Sequence, residues 1–229
     1  DLVNTWLDGN SPLSHWQKLP EGALNVVPDR GLFASVLEKL KEEYGSPNVE
    51  VPMPVGISNS DKFFLKIAGH FNVRDEMKEI LKERKKEVQG TKTEIAKKCK
   101  GLRMGYNSGT ERNYNPAIVA RDGLCEVGFF REIGFTVTLL IQGSPDPRRQ
   151  LYITKRLKEL RIEADFDVFV DTVSITKALK KIKYDLVYCV NSLADMVEPT
   201  NTPMISLGAL RMGYRGFIHN TELVEKAIL

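Results

Sequence analysis

Cysteine and histidine are scarce in this sequence, with three of each among 229 residues. Cys99, Cys125 and Cys189 stand far apart and form no C-x-x-C pair, so the spacing argues against a zinc site and predicts no metal ligands. The apolar flanks of the cysteines indicate reduced thiols, and we expect a cytoplasmic protein. The histidines are isolated too, and no Ser-His-Asp arrangement or acid/base pair can be assigned from spacing.

Long apolar runs are also absent. No segment approaches the roughly 18 to 20 residues that cross a bilayer. The first residues lack the pattern of a secretory signal. We therefore expect no membrane partner.

Net charge is small, at +3, and unevenly spread. Residues 82–100 carry eight Lys or Arg against three Glu, without a single aromatic residue. That pattern favours a solvated helix between domains over a nucleic-acid patch, which would interleave aromatics with the basic residues. We expect no nucleic-acid partner.

Two common nucleotide-binding motifs are missing. No G-x-x-x-x-G-K-[ST] loop occurs, and the glycines at 105, 109 and 123 do not fit G-x-G-x-x-G. The chain is therefore expected neither to hydrolyse ATP itself nor to bind NAD in the usual way.

The second half of the chain contains a regular alternation of strand and helix patterns. Strands are predicted at residues 102–106, 136–142, 165–170, 185–190 and 203–207. Helices are predicted at 116–133, 147–160, 174–182, near 193–197 and from 221 to the end. Short loops between such elements require a parallel sheet covered on both faces. The predicted fold class is α/β, with Rossmann-like parallel sheets, helices on both faces and two lobes.

The first part of the chain repeats this alternation on a smaller scale. We predict a strand at 23–27, an amphipathic helix ending at Gly45, a strand at 49–55 and a helix at 61–71 capped by Ser60. Residues 74–98 are helical in pattern but thin in apolar residues. Gly90 within them predicts either two helices or one kinked helix. This stretch is the predicted domain junction.

A glycine-rich polar turn at residues 105–115 follows a predicted strand and opens a helix. Such a turn gathers backbone N–H groups and the positive end of a helix around one point, which suits an anionic ligand. Its candidate ligand contacts are Gly105, Ser108, Gly109, Thr110 and Arg112. The alternative, in which the glycines serve only to form the turn, stays open.

Three more polar segments occupy predicted strand ends, where ligands bind in open parallel sheets. These segments are residues 143–149, 191–192 and 210–217. The last is predicted as a glycine-hinged loop before the final helix, and its candidate contacts are Arg211, Gly213, Tyr214 and Arg215. For the arginines of 143–149 a solvated helix start is the favoured alternative. For 210–217 ligand contact and plain loop are equally open.

Six short motifs follow one another in a fixed order. They are ALNVV at 23–27, EEYG at 42–45, VPMPVGISNSDKFF at 51–64, GLRMG at 101–105, KYDLV at 183–187 and GYRGF at 213–217. In this order and spacing they resemble the middle and last domains of the nitrogenase component 1-type oxidoreductases. The resemblance covers about residues 23–217, which is most of the chain.

The resemblance implies three Rossmann-like domains per subunit, paired subunits, and a metal or tetrapyrrole site between domains. It also implies electrons from a separate iron–sulfur ATPase, which agrees with the missing ATP-binding loop. Because 229 residues are too few for three domains, the resemblance assigns 1–72 to the end of the middle domain, 73–100 to linking helices and 101–229 to the final domain. Asp1 in place of Met fits a piece of a longer polypeptide.

Two departures from the family pattern bear on the substrate. Asp29 stands where nitrogenases carry a cysteine ligand of the catalytic cofactor, and no histidine lies between residues 203 and 216 for the second ligand. A carboxylate is a poor substitute for a soft thiolate. We therefore do not expect a dinitrogen-reducing α subunit. Asp29 is predicted to lie at the cofactor, either as a proton donor or as a carboxylate that caps its loop.

The predicted function is one wall of a redox pocket, where Ser108, Thr110, Arg112, Arg211 and Arg215 line an interdomain cleft. The implied cofactor is an iron–sulfur cluster, a related metal cofactor or a tetrapyrrole in the full-length complex. The isolated chain is expected to bind none and to be inactive. The implied partners are a second component 1-type subunit and the iron–sulfur ATPase reductase. The alternatives are a two-lobed small-molecule binding module without redox activity and an enzyme for sugar nucleotides.

Overall fold

Strands and helices alternate throughout the part of the chain that the structure describes. The computed structural model describes residues 11–27, 30–107, 124–143, 146–159 and 164–229. The strands are β1 (Asn25–Val27), β2 (Asn48–Glu50), β3 (Arg103–Tyr106), β4 (Thr136–Gln142), β5 (Asp165–Phe169), β6 (Leu186–Cys189) and β7 (Met204–Ser206). The helices are α1 (Leu13–Trp16), α2 (Arg30–Tyr44), α3 (Ile57–His70), α4 (Arg74–Cys99), α5 (Leu124–Glu132), α6 (Pro147–Glu159), α7 (Thr172–Ile182), α8 (Ala194–Val197) and α9 (Gly213–Ile228).

The larger sheet has five parallel strands in the order β5-β4-β3-β6-β7. The chain runs outward from β3 through β4 to β5, then returns to the other side of β3 as β6 and continues to β7. Strand order therefore reverses between β3 and β6, and this is the switch point at which open α/β sheets bind ligands. The predicted α/β class with parallel sheets is confirmed, and β4 has the predicted bounds.

Both faces of this sheet are buried. On one face Met104 and Leu186 pack with Phe129 and Phe130 of α5 and with Phe217 of α9. Leu81, Val88, Ile95 and Cys99 of α4 join that cluster. On the other face Leu140, Val187 and Cys189 pack with Ile175 and Leu179 of α7. Helices on both faces explain why the strands are nearly continuous apolar runs.

The smaller sheet contains β1 and β2, which pair in parallel and are joined by α2. Gly45 follows α2 with φ of +65°, a left-handed helix end of the kind predicted there. β2 ends two residues before Pro52, earlier than the predicted strand 49–55. Prolines lack the N–H group that a ladder requires, which accounts for the difference.

Helix α3 begins at Ile57, four residues before the predicted start, and Ser60 does not cap it. The Ser60 hydroxyl is fully buried and lies 3.0 Å from the carbonyl oxygen of Pro54 and 2.6 Å from that of Gly56. A carboxylate from another helix takes the capping role, because the Ile57 N–H donates to Oε2 of Glu132 at 2.8 Å. Local sequence around Ser60 could not reveal this long-range partner.

Helix α4 runs unbroken for 26 residues, through Gly90, so the prediction of two separate helices is wrong. Its buried residues Leu81, Val88 and Ile95 recur every seven positions and form one stripe against the five-stranded sheet. Packing along this stripe outweighs the roughly 1 kcal/mol that one glycine costs a helix.

The final helix, α9, begins at Gly213, eight residues before the predicted start. The predicted glycine-hinged loop at 210–217 is therefore mostly its first turns. Gly213 has φ of +76°, which a side chain disfavours. At Gly216 a Cβ would lie 2.5 Å from the carbonyl carbon and oxygen of Arg211. Gly213 therefore allows the chain to enter α9, and Gly216 allows close packing on Arg211. The sequence had suggested a hinge at these glycines.

Within the described residues, no helix combines the length and the apolar character that crossing a bilayer requires. The boundaries predicted at residues 72 and 100 stay predictions. The side chains of α3 and α4 nevertheless belong to the same apolar cluster as the five-stranded sheet.

We expect Gly216→Ala to lower the free energy of unfolding by about 1–3 kcal/mol, because a methyl group would overlap the Arg211 backbone. Chemical denaturation measures this change. Gly90→Ala is the matched control, since nothing lies within 4 Å of a Cβ at that helical position. It should raise stability by about 0.5–1 kcal/mol. Wild-type stability of the Gly216 variant would contradict the packing described here.

Candidate functional site at the switch point

All four polar segments predicted as ligand sites follow strands of the five-stranded sheet. Because these strands are parallel, their carboxyl ends meet at one edge. Asp29, Ser108, Gly109, Thr110 and Arg112 lie outside the described residues. The described part of the edge comprises Asn107 after β3, Gly143 and Asp146 after β4, residues 190–193 after β6 and residues 207–212 after β7.

Asn107 holds the switch point together. It is 1% exposed, its N–H donates to the Tyr188 carbonyl of β6 at 2.8 Å, and its Nδ2 donates to the Leu140 carbonyl of β4 at 2.8 Å. One residue thus ties the two strands that flank β3, just where the glycine-rich turn begins. We did not predict this residue as functional, although an asparagine directly after a buried strand is a visible signal.

Gly105, predicted as a cofactor contact, lies inside β3 and faces the α7 side of the sheet. A Cβ there would lie 3.0 Å from Cδ1 of Leu140 and 3.5 Å from the ring of Tyr184. The structure therefore gives Gly105 a packing reason for being glycine. Its contact with a cofactor stays a prediction.

A carboxylate and two tyrosines form a polar cluster on the opposite face, which sequence reasoning missed. Tyr106 and Tyr188 are register partners on β3 and β6, and their rings stack with centroids 5.4 Å apart. Both hydroxyls donate to Glu126 in the first turn of α5, at 2.6 Å and 2.7 Å. The Gly208 N–H in turn donates to the Tyr188 hydroxyl at 3.0 Å. The cluster thereby links the loop after β7 to the switch point.

Burial, followed by the negative charge of Glu126, raises the pKa of Tyr106 and of Tyr188 above the usual tyrosine value. Both hydroxyls therefore remain protonated donors at neutral pH. Two donors on one half-buried carboxylate are charge-assisted hydrogen bonds, each worth about 1.5–3 kcal/mol. The cluster fixes the start of α5.

Residues 211–215, called the arginine turn below, comprise the last two residues before α9 and the first three residues of that helix, at the same edge. Arg211 and Arg215 are exposed, and within the described ranges neither guanidinium forms a hydrogen bond or ion pair. Tyr214 is only 8% exposed, and its hydroxyl donates to Oδ1 of Asp61 on α3. The predicted residues of this segment therefore divide into two exposed cations and a buried, partnered tyrosine.

The third predicted segment, after β6, is joined to the strand beside it. Oδ1 of Asn191 accepts a hydrogen bond from the Ser206 hydroxyl of β7, and the Leu207 N–H donates to the Cys189 carbonyl at 2.7 Å. These contacts hold the loops after β6 and β7 together. The edge is consequently one connected surface from Asn107 to Gly208.

The described residues do not fit a metal centre. Among them, no three His, Cys, Asp or Glu side chains come close enough to share an ion. Cys99 and Cys189 are fully buried, and burial raises the pKa of Cys99 to about 11 and that of Cys189 to about 12. Thiols held in this way are poor ligands, because a metal binds the thiolate.

A cavity of about 740 Å³ lies at the other edge of the sheet. Its lining includes Thr136 and Asp165, the first residues of β4 and β5, together with Thr154 and Lys158 of α6. It is therefore remote in topology from the predicted ligand segments, which lie at the carboxyl ends of the strands.

Comparison with known proteins gives a family match over almost the whole chain. A family model described as nitrogenase component 1 type oxidoreductase matches residues 1–228. A solved structure described as nitrogenase Cp1 at pH 6.5 has 17% sequence identity and a TM-score of 0.66, over 91% of this chain and 46% of its own. At that identity the likeness shows the fold alone, and this chain spans about half the length of that relative.

A second structure, the translation initiation factor eIF-2B of Pyrococcus horikoshii OT3, has 14% identity and a TM-score of 0.30 over 83% of this chain and 67% of its own. A score that low carries no argument. No curated protein matches the chain.

We expect alkaline pH to destabilise the fold through four buried tyrosines. The pKa values of Tyr106, Tyr184, Tyr188 and Tyr214 are raised chiefly by burial, that of Tyr184 to about 12. Above pH 10, the ordinary value, the unfolded chain releases these protons while the folded chain keeps them. The free energy of unfolding should fall by about 1.4 kcal/mol per pH unit for each such tyrosine.

Tyrosinate absorbance measures this titration directly, and the same titration in denaturant is the control. Four of the seven tyrosines should ionise in the folded protein only well above pH 10. Ionisation of all seven near pH 10 without unfolding would show that these hydroxyls are not buried.

Thiol reactivity provides a separate check on the core. Cys99 and Cys189 should react slowly with a disulfide reagent at mildly alkaline pH, because burial holds them as thiols. In denaturant both thiols should react at once. The single variants Cys99→Ala and Cys189→Ala each remove one thiol and so identify its signal. Fast reaction of either thiol in the folded protein would contradict its burial.

Proposed function

The chain belongs to the nitrogenase component 1-type oxidoreductases, and we propose that it supplies one wall of a redox pocket in a subunit of that family. The supporting observation is that the ends of β3, β6 and β7 form one connected polar edge at the switch point of the sheet. Arg211 and Arg215 present unpaired guanidinium groups at this edge.

The proposed pocket binds the anionic edge of a cofactor or substrate. Guanidinium groups suit carboxylates and phosphates because their paired N–H groups match two oxygens at once. We propose that Arg211 and Arg215 act with Ser108, Thr110 and Arg112. Asp29, Gly105, Gly109, Gly213 and Tyr214 complete the proposed set.

The cofactor itself is proposed to be a metal–sulfur cluster or a tetrapyrrole held mainly by other parts of the full-length subunit. The described residues of this chain contribute no metal-ligand set, so we assign them the binding of charge and no redox step. Electrons are proposed to come from an iron–sulfur ATPase, and a second component 1-type subunit is the proposed partner. We place the complex in the cytoplasm.

The substrate is proposed to differ from dinitrogen. The family ligand positions carry Asp29 instead of cysteine and no histidine between residues 203 and 216. The first change loses the soft thiolate and the second loses the imidazole, the two ligand types that the nitrogenase cofactor uses.

A second candidate is a binding module without redox activity, which the two unpaired arginines also favour. This candidate predicts tight ligand binding by the isolated 229-residue chain, whereas the redox proposal predicts little, namely weak binding of simple anions by the two arginines. A thermal-shift screen with anions and tetrapyrroles separates the two functions, because a ligand that binds the native state raises its melting temperature. Strong affinity in the isolated chain favours the binding module.

The decisive test of the redox proposal is anaerobic co-expression of the full-length subunit with its neighbours. Iron or a chromophore should co-purify, and Arg211→Gln combined with Arg215→Gln should lower its occupancy about tenfold, since two solvent-exposed charge contacts of up to about 1 kcal/mol each are lost. Lys82→Gln combined with Arg84→Gln is the charge-matched control, because these two cations pair with Glu79 and Glu87 on the surface of α4. Absence of any cofactor and of any bound reductase would refute the proposal.

A further inference from the structure

The backbone of the arginine turn is fixed from several sides. The Gly213 N–H donates to the Pro54 carbonyl at 2.7 Å, which ties the turn to the segment before α3. The fully buried Asn220 side chain accepts from the Arg211 N–H at 2.8 Å and donates to the Arg211 carbonyl at 2.9 Å. Gly216 packs against the same backbone. These contacts hold the backbone of the arginine turn in place. Within the described ranges, the guanidinium groups of Arg211 and Arg215 form no hydrogen bond or ion pair.

Tyr214 adds a side-chain anchor between the two arginines. Its hydroxyl donates to Oδ1 of Asp61 on α3, while Oδ2 of the same carboxylate lies 2.5 Å from Nζ of Lys85 on α4. The Asp61 side chain is only 17% exposed and that of Lys85 is 48% exposed. A chain of three polar groups thus runs from α4 through α3 to the arginine turn.

We propose that Asp61 and Tyr214 are positioning residues for an anion bound by Arg211 and Arg215. This inference rests on the proposed function. It assigns Tyr214 to positioning the two arginines, in place of the direct contact with the ligand that the sequence predicted. The ligand class is a carboxylate- or phosphate-bearing molecule. The buried Tyr214–Asp61 bond fixes the start of α9, and with it the direction of Arg215 in the first turn and of Arg211 just before the helix.

The physical reason lies in the cost of ordering. A guanidinium binds two oxygens well only when its plane faces them, and a mobile backbone would have to be immobilised on binding. Because hydrogen bonds already fix the turn before an anion binds, part of the free energy of immobilising the backbone is not needed on binding. Loss of the Tyr214 hydroxyl should therefore weaken anion binding, although that hydroxyl is already bonded to Asp61.

A purely structural role makes a different prediction. If the Tyr214–Asp61 bond only stabilised the contact between α3 and α9, its loss would lower the melting temperature and leave anion affinity unchanged. Affinity and stability must therefore be measured on the same variants. Val224→Ala is the matched stability control, because Val224 is fully buried in α9 and lies outside the arginine turn.

The experiment titrates the 229-residue chain with citrate and, separately, with inorganic phosphate while following the side-chain Nε–H signals of Arg211 and Arg215 by NMR. Both signals should shift with one dissociation constant, and the stronger of the two anions identifies carboxylate or phosphate recognition. Tyr214→Phe should raise that constant about fivefold. Val224→Ala should lower stability and leave the constant as it is.

Asp61→Asn provides the second variant if Tyr214→Phe does not fold. The amide keeps an oxygen for the Tyr214 hydroxyl but loses the charge that Lys85 neutralises, and a smaller increase in the constant is expected. Wild-type affinity in whichever variant folds would overturn the positioning role while leaving the proposed anion site intact. If neither anion shifts the arginine signals, both the anion site and the positioning role are refuted.

Discussion

Two carboxylates hold helix α3 against α5 and α9, which pack on the five-stranded sheet, and the geometry of the candidate site depends on them. Glu132 of α5 accepts the Ile57 N–H at 2.8 Å and the ammonium of Lys92 at 3.0 Å, with 11% of its side chain exposed. Asp61 of α3 accepts the Tyr214 hydroxyl and pairs with Lys85. Gly56 makes the first contact possible, because a Cβ there would lie 2.9 Å from the Glu132 carboxylate. Removal of either carboxylate would leave buried donors unpaired.

This arrangement connects a helix from the first part of the chain with a site that lies in the second part. α3 precedes the five-stranded sheet in sequence, yet it anchors the arginine turn that follows the last strand. At the switch point, Asn107 and the Tyr106–Glu126–Tyr188 cluster fix the end of β3 in the same manner. Hydrogen bonds thus fix the backbone around a surface at which the guanidiniums of Arg211 and Arg215 are exposed and, within the described ranges, form no hydrogen bond or ion pair. That contrast between fixed backbone and available charge supports anion binding as the function of this edge.

Periodicity and loop length were sufficient to predict the fold class and the strands of the larger sheet. β4 matched its predicted bounds because its apolar residues are β-branched or leucine and are buried within the sheet, at Val137, Leu139, Leu140 and Ile141. The errors arose where a distant residue decides the local structure. Glu132 starts α3 at Ile57, and the packing of Gly216 on Arg211 extends α9 back to Gly213. The Glu126 cluster escaped prediction for the same reason, since its three members lie at positions 106, 126 and 188 and share no motif.

Native-state hydrogen exchange tests the central claim, that α3 and the five-stranded sheet with α9 form one packed unit. The amide of Ile57 and the buried amides of α9, such as that of Phe217, should exchange with the same free energy of opening and respond alike to denaturant. Glu132→Gln should lower both together. Exchange of α3 at a much lower free energy, while α9 stays protected, would contradict the account and leave the arginine turn without its anchor.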